Sequence, residues 1–252
     1  MNSRRFLITP LVVALAGSLA PLHAEDAIRV LCSNGLKAVV EDLVPKFERE
    51  TKHKVSVQYG LAASLKQRIE NGEAFDVAFL TPAAMDDLVK QGKIVAETRA
   101  TIARTGLGIA IRKGARKPDV KTADSFKRAL LDAKGIAYAK EGASGVAFAA
   151  LIQKLGIAND LKAKSKLTVT GEEVGEAVLH GDSEFGILPL SEILPIKGAE
   201  LGGMFPADVQ SYIVMQGGVS RSSKQQAIAN DLLKYHTAAA ALPVITAKGM
   251  ER

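Results

Sequence analysis

Ile28-Arg29-Val30-Leu31, followed by Cys32-Ser33-Asn34-Gly35 and then by Leu36, Val39, Val40, Leu43 and Phe47 at helical spacing, reads as an apolar strand, a turn of small residues and an amphipathic helix. The same unit repeats immediately downstream. Val55-Ser56-Val57-Gln58-Tyr59 alternates as a strand does, Gly60 ends it, and the spacing predicts a helix over 64–71 with Leu65 and Ile69 inward. Phe75-Asp76-Val77-Ala78-Phe79-Leu80 is a continuous apolar strand carrying one acid, and a helix over 82–91 stops at Gly92. Strand and helix in strict alternation predict an α/β fold with a largely parallel sheet.

The pattern then restarts. Leu107-Gly108-Ile109-Ala110-Ile111 is a strand leading into the basic loop from Arg112 to Lys117, followed by a helix over 125–131. Gly135-Ile136-Ala137-Tyr138, Leu167-Thr168-Val169 and Phe185-Gly186-Ile187-Leu188 are further strands, with helices over 145–155 and 175–180 between them. Tyr212-Ile213-Val214-Met215 is a strand whose partner is expected in the first half, and the chain closes with a helix over 224–240 and a helical piece near Ala247. Two α/β units without a long linker predict two lobes joined by crossing strands, with a cleft between them. Lobe I is expected over 25–103 plus 209–252, and lobe II over 104–208.

The N-terminus carries Arg4 and Arg5, an apolar run over 6–22 and Leu22-His23-Ala24 before the first acids, Glu25 and Asp26. A basic start, a short apolar core and a small exit residue make a secretory signal peptide over 1–24, cleaved near Ala24, so the protein is expected in the periplasm. The apolar core falls short of the ~20 residues that a spanning helix needs. Of the 33 Lys and Arg, Arg4 and Arg5 lie in that segment, leaving 31 against 27 Asp and Glu. This mild excess is spread along the chain and forms no arginine-rich block with interleaved aromatics, so nucleic acid is not an expected partner. Cys32 is the single cysteine, which excludes an intramolecular disulfide. Its place at the end of an apolar strand predicts a buried structural thiol.

In open α/β sheets ligands sit beyond the carboxyl ends of the strands. Three strand-to-helix loops share one chemistry there: Cys32 to Gly35, Gly60 to Ser64, and Glu141-Gly142-Ala143-Ser144-Gly145. Small residues admit a ligand to backbone N–H groups, and a helix N-terminus offers unpaired donors with a positive dipole end. The same residue types also serve as ordinary caps and turns. Together, at corresponding places in the units, the loops point to an anion site built from neutral donors.

The string from Ile28 to Phe47 resembles the opening block of the periplasmic molybdate-binding family of solute-binding proteins. Ile69-Glu70-Asn71-Gly72 with Ala74-Phe75-Asp76 resembles its second block, Ala143-Ser144-Gly145 its third, and Glu173-Val174 followed by Phe185-Gly186-Ile187 its fourth. The resemblance implies a two-lobed type II periplasmic binding protein fold that closes around a small anion and delivers it to the membrane permease of an ABC transporter, as a monomer. It places ligand contacts at Ser33, Asn34 and Gly35, at Ala63 and Ser64, at Ser144 and Gly145, and at Val174. The chain also departs from the family. Gly35 stands where the family has its first ligand serine, Ala63 where it has its second, and Pro189 where it has a tyrosine. Each lost donor in a buried anion site costs about 1–3 kcal/mol. A molybdate-like oxyanion is therefore the expectation and a small organic acid the alternative. A sensor or scavenger of the same fold would use the same closure.

Catalysis is not expected from the sequence, nor is any metal or cofactor. Gly142-Ala143-Ser144-Gly145-Val146 breaks the G-x-S-x-G pattern at its fifth position. His53, His180 and His236 show no metal-ligand spacing, and His53 and His180 are expected to be solvated. Asp76 is read as positioning its neighbouring loop, and the Arg112 to Lys117 loop as a solvated face.

Overall fold

The structure is a computed structural model and describes residues 27–252; the expected signal peptide lies outside them. The chain begins with β1 (Ile28–Ser33), α1 (Lys37–Thr51), β2 (Val55–Gly60), α2 (Ala62–Glu70), β3 (Val77–Leu80) and α3 (Pro82–Lys90). Leu36, Val39, Val40, Leu43 and Phe47, the residues spaced for a helix, are all buried, as are Leu65 and Ile69 of α2. β4 (Ala100–Arg112) is the longest strand. After it come α4 (Ala123–Asp132), β5 (Ile136–Ala139), α5 (Ala143–Lys154), α6 (Ala158–Lys162), β6 (Ser165–Thr168), α7 (Gly171–His180), β7 (Phe185–Pro189), α8 (Leu190–Ile193) and β8 (Ala199–Met204). β9 (Tyr212–Val219), α9 (Gln226–Thr237) and α10 (Leu242–Ala247) complete the chain.

The strands run in the order β2-β1-β3-β9-β4-β7-β5-β6, with β8 also paired to β4. β1, β2 and β3 are mutually parallel, and so are β5, β6 and β7. β4, β8 and β9 are antiparallel to their neighbours, so the sheet is mixed where alternation alone predicts it largely parallel. β4 joins the two halves: Ala100 to Gly106 pairs with β9, and Leu107 to Arg112 pairs with β7 and β8. The strand expected at 212–215 thus finds partners in β3 and in the first part of β4, both from the first half of the chain.

Two strand segments escape the sequence pattern for identifiable reasons. The first part of β4 carries a register shift between Thr101 and Ala103, so Ile102 and Ala103 are buried in succession and the period of two is lost. β8 reads Ala-Glu-Leu-Gly-Gly-Met, and its paired glycines look like a loop. Gly203 faces Val120 and Gly202 faces Ile111, so the missing side chains are what let β8 lie against β4 and its following loop. The strand expected at 167–169 ends at Thr168, with Leu167 and Val169 both exposed.

Cys32 is fully buried in β1, as expected, and burial pushes its thiol well above the ordinary range. Asp76 lies just before β3, at the end of the sheet opposite the loops singled out above. Its carboxylate accepts from the Arg29 backbone N–H (2.8 Å), Arg29 Nε (3.1 Å) and Ser223 Oγ (2.8 Å). Burial would raise this carboxyl, but the Arg29 and Ser223 bonds outweigh it and hold it below its usual range. The basic loop from Arg112 to Lys117 is exposed and follows the far end of β4. Among the described residues no helix is long and apolar enough to cross a membrane.

Candidate functional site

The carboxyl ends of β1, β2, β5 and β7 converge on one small cavity of about 30 Å³. Ser33, Asn34 and Gly35 contribute to it from the turn after β1, and Leu61 and Ala62 from the start of α2. Gly142, Ala143 and Ser144 enter from the start of α5, Gly171 is the first residue of α7, Pro189 ends β7 and Glu192 lies in α8. Ile213 and Met215 of β9 and Ala139 of β5 close it. The first turns of α5 and α7 both abut the cavity, and their leading N–H groups have no partner within the helix. A negatively charged group placed there is favoured by the donors and by the helix dipoles together.

Four of the eight residues expected to touch a ligand, Ser33, Asn34, Gly35 and Ser144, line this cavity. Ser33 and Ser144 are buried, and among the described residues no protein group hydrogen-bonds either hydroxyl. Gly145 instead packs against β5, where a side chain would overlap the Ala139 carbonyl. Val174 is fully buried within α7, on its inward face, and its N–H donates to the Thr170 carbonyl at 3.4 Å. Gly171, one turn earlier, stands at the cavity in its place. Ala63 and Ser64 are exposed on the outer side of the first turn of α2, whose cavity-facing members are Leu61 and Ala62.

Two features of the cavity are not legible in the spacing of motifs. The first is Met215, whose Cε methyl occupies the position a Cβ on Gly35 would take. The second is Glu192. Its Oε2 lies where a side chain on Gly171 would begin, and its Oε1 is 3.9 Å from the corresponding point on Gly35. Among the described residues it makes no hydrogen bond or ion pair. Burial, reinforced by the nearby Glu172 and opposed by Lys37, pushes the Glu192 carboxyl up to about 7. The only hint in the sequence is an acid three residues after Pro189, at a strand-to-helix turn, which by itself reads as an ordinary surface glutamate.

Glu192 also lines a second, larger cavity of about 320 Å³ that shares Asn34 and Gly171 with the first. Lys37 and Glu172 stand on its rim and face each other across it at 3.5 Å, tying the start of α1 to the start of α7. Both side chains are well exposed, so this bridge contributes little stability. Deeper in, Ser191 Oγ donates to the Gly35 carbonyl at 3.0 Å, a buried bond between the β7–α8 turn and the β1 turn. A larger cavity, about 580 Å³, runs along the outer face of α1 beside α10, and neither Ser33, Asn34 nor Ser144 reaches it.

The remaining candidates resolve simply. His180 is exposed. His236 is fully buried, with its ring 4.9 Å from that of Phe79 and its Nδ1 2.8 Å from the Leu232 carbonyl. A carbonyl only accepts, so Nδ1 carries the proton. Among the described residues Nε2 has no hydrogen-bond partner, and burial holds the ring's pKa down at about 4. No group of three His, Cys, Asp or Glu side chains among the described residues is arranged to hold a metal ion.

Comparison with known proteins adds an independent line. The family model described as bacterial extracellular solute-binding protein matches residues 28–251. A Pseudomonas protein named aconitate isomerase is 26% identical over 247 residues, covering 94% of each chain. The molybdate-binding protein ModA of Azotobacter vinelandii is 30% identical over 259 residues, covering 97% of this chain and 98% of its own. Among solved structures, the Azotobacter vinelandii periplasmic molybdate-binding protein superposes with a TM-score of 0.76 at 20% identity, over 89% of this chain and 99% of that one. The fold is the type II periplasmic binding fold.

Proposed function

We propose a function from one premise: the chain belongs to the bacterial extracellular solute-binding protein family. It captures a small anion at the carboxyl ends of its strands, in the periplasm after signal removal near Ala24. It then presents that anion, as a monomer, to the permease of an ABC-type importer. The observation that carries this reading is the convergence of Ser33, Asn34, Ser144 and the first turns of α5 and α7 on one cavity. The two lobes are taken as 25–103 with 209–252, and 104–208. The inner cavity holds about 30 Å³, too little for an anion larger than a water molecule or two, so capture requires the lobes to part and close again.

Within this reading the lining favours an organic acid over a tetrahedral oxyanion. Gly35 and Pro189 supply no side-chain donor to the cavity, and Glu192 sets a carboxyl beside the anion position. A fully ionised oxyanion obliges Glu192 to take up a proton before it can bind there, whereas a ligand carrying a hydroxyl or a protonated carboxyl can donate to the Glu192 carboxylate directly. Thermal unfolding against molybdate, tungstate, sulfate, phosphate and a set of di- and tricarboxylates tests the choice. A ligand at 100 times its Kd adds about 2.7 kcal/mol of stability. Stabilisation by carboxylates alone supports the organic acid, stabilisation by molybdate and tungstate alone restores the oxyanion, and no stabilisation by any anion removes the receptor reading.

A second reading, favoured by Glu192, is that the chain converts its ligand as well as binding it. One relative is named aconitate isomerase, and moving a double bond within such a tricarboxylate needs a group that exchanges protons. Incubation of the purified protein with cis- or trans-aconitate, followed by chromatography, tests this reading through the appearance of the other isomer.

A further inference from the structure

We infer that Glu192 is the proton-transfer group of the cleft, taking a proton from a carbon of a bound unsaturated polycarboxylate and returning it two carbons along the chain. The inference rests on the second reading above and assigns the residue that would carry it. Every other side chain facing the inner cavity is aliphatic, a thioether, a hydroxyl or an amide, so Glu192 is the one group there that titrates in the ordinary pH range. Its carboxylate is held between the start of α7 and the turn after β1, the two places where a ligand carboxylate would find backbone donors.

The charged groups around it come from two elements. Lys37 and Glu41 face it from α1, and Glu172 faces it from α7. Burial and Glu172 favour its protonated form and Lys37 its ionised form, leaving a carboxyl balanced near neutrality, where an acid–base group works in both directions.

The step balances without an oxidant or a second reactant. Glu192 carboxylate removes a proton from the CH2 that lies between a carboxylate and a C=C bond of the ligand. The C–H electron pair moves into a new C=C bond, and the old double bond shifts its electrons toward the carboxylate conjugated with it. The resulting anion is stabilised by the helix N-termini and by the Ser33 and Ser144 hydroxyls. Glu192 then returns the proton to the far carbon of the allylic unit. The double bond has moved one position and the composition is unchanged. A glutamate present only for structure, or only to repel divalent oxyanions, takes no part in such an exchange.

The test is proton NMR of propenetricarboxylates incubated with the protein in D2O, run beside thermal unfolding with the same compounds. The wild-type protein is expected to wash deuterium into the CH2 position and to equilibrate the double-bond isomers, with a rate that rises as the pH climbs through about 7. Glu192→Gln should lose that exchange by 100-fold or more, along with the pH limb, while ligand still raises its melting temperature. Glu192→Asp should keep part of the rate. Ligand stabilisation of the wild type without exchange, or exchange at an unchanged rate in Glu192→Gln, overturns the inference and leaves capture standing. Absence of stabilisation by any carboxylate overturns both together.

Discussion

The Cε methyl of Met215 fills the space in which a side chain on Gly35 would begin. The turn after β1 and a residue of β9, 180 positions away in the chain, therefore compete for one space. A side chain introduced at Gly35 must displace Met215 before it can reach the cavity.

Gly35→Ser should destabilise the protein by about 1 kcal/mol, because the flexible end of Met215 must swing away from the new side chain. In a Met215→Ala background, which by itself costs stability by leaving a cavity, Gly35→Ser should cost little further. Urea unfolding of the two single variants and the double variant gives the coupling energy directly. Additive effects would mean that the two side chains do not compete for one space.

The donors of the cavity can be counted by binding. Removing Ser144 and Asn34 together, each to alanine, should weaken carboxylate binding on the order of 100-fold, at ~1.5 kcal/mol for each hydrogen bond to a charged group. Ser64→Ala, on the exposed side of α2, should leave affinity unchanged. Isothermal titration of the three proteins separates the cavity seen in the fold from the wider set of positions named by family resemblance.

Glu192 should cost stability at high pH. Its carboxyl lies above its unfolded value, so the folded chain holds the proton more tightly from about pH 4.5 to about pH 7, and stability falls as pH rises through that window. Allowing for its partial exposure, Glu192→Gln should gain about 2 kcal/mol at pH 8 and nothing at pH 4. Melting curves at the two pH values check the difference.

His236 should act in the opposite sense. Its folded value lies near 4 against an ordinary 6.5, so the unfolded chain binds the extra proton and stability is lost as pH falls from 6.5 towards 4. The loss is about 3 kcal/mol at the acid end. Replacement by Phe, which keeps the ring against Phe79 and cannot titrate, should flatten the stability curve between pH 4 and 6.5. An unchanged acid slope would place the titration elsewhere.

Asp76→Ala should cost about 2 kcal/mol by removing the acceptor of the Arg29 backbone N–H and of Ser223 Oγ at the opposite end of the sheet from the cavity. It should leave ligand affinity untouched, since Asp76 is a full strand length from the cavity. Equal ligand-induced stabilisation in variant and wild type checks that separation.

Local pattern made the strands and helices of the two α/β units legible, because burying one face of each element imposes a period that survives in any tertiary setting. Ile28 to Phe47 shows this most plainly: every apolar residue at its helical spacing is buried. The loops at strand ends were legible for a similar reason, since the chain direction of a parallel strand says which end faces a ligand. That rule selects Ser33, Asn34, Gly35 and Ser144, which line the cavity, and equally Ala63, Ser64 and Gly145, which do not. Where the strand pattern failed, a bulge had broken the period, as at Ala103, or glycines had made room for a neighbour, as in β8.

The chemistry of the cavity was not legible in the same way. Glu192 looks like any surface glutamate until α8 carries it over Gly171, and only then does burial beside Glu172 shift its proton affinity. The same holds for Met215 against Gly35 and for the outward turn of Ala63 and Ser64. Periodicity is a property of neighbours along the chain and can be read there. The identity of the groups that meet in a cavity depends on contacts between residues tens to hundreds of positions apart. No local pattern encodes those contacts, so the fold could be read from the order of residues and the ligand chemistry had to wait for their packing.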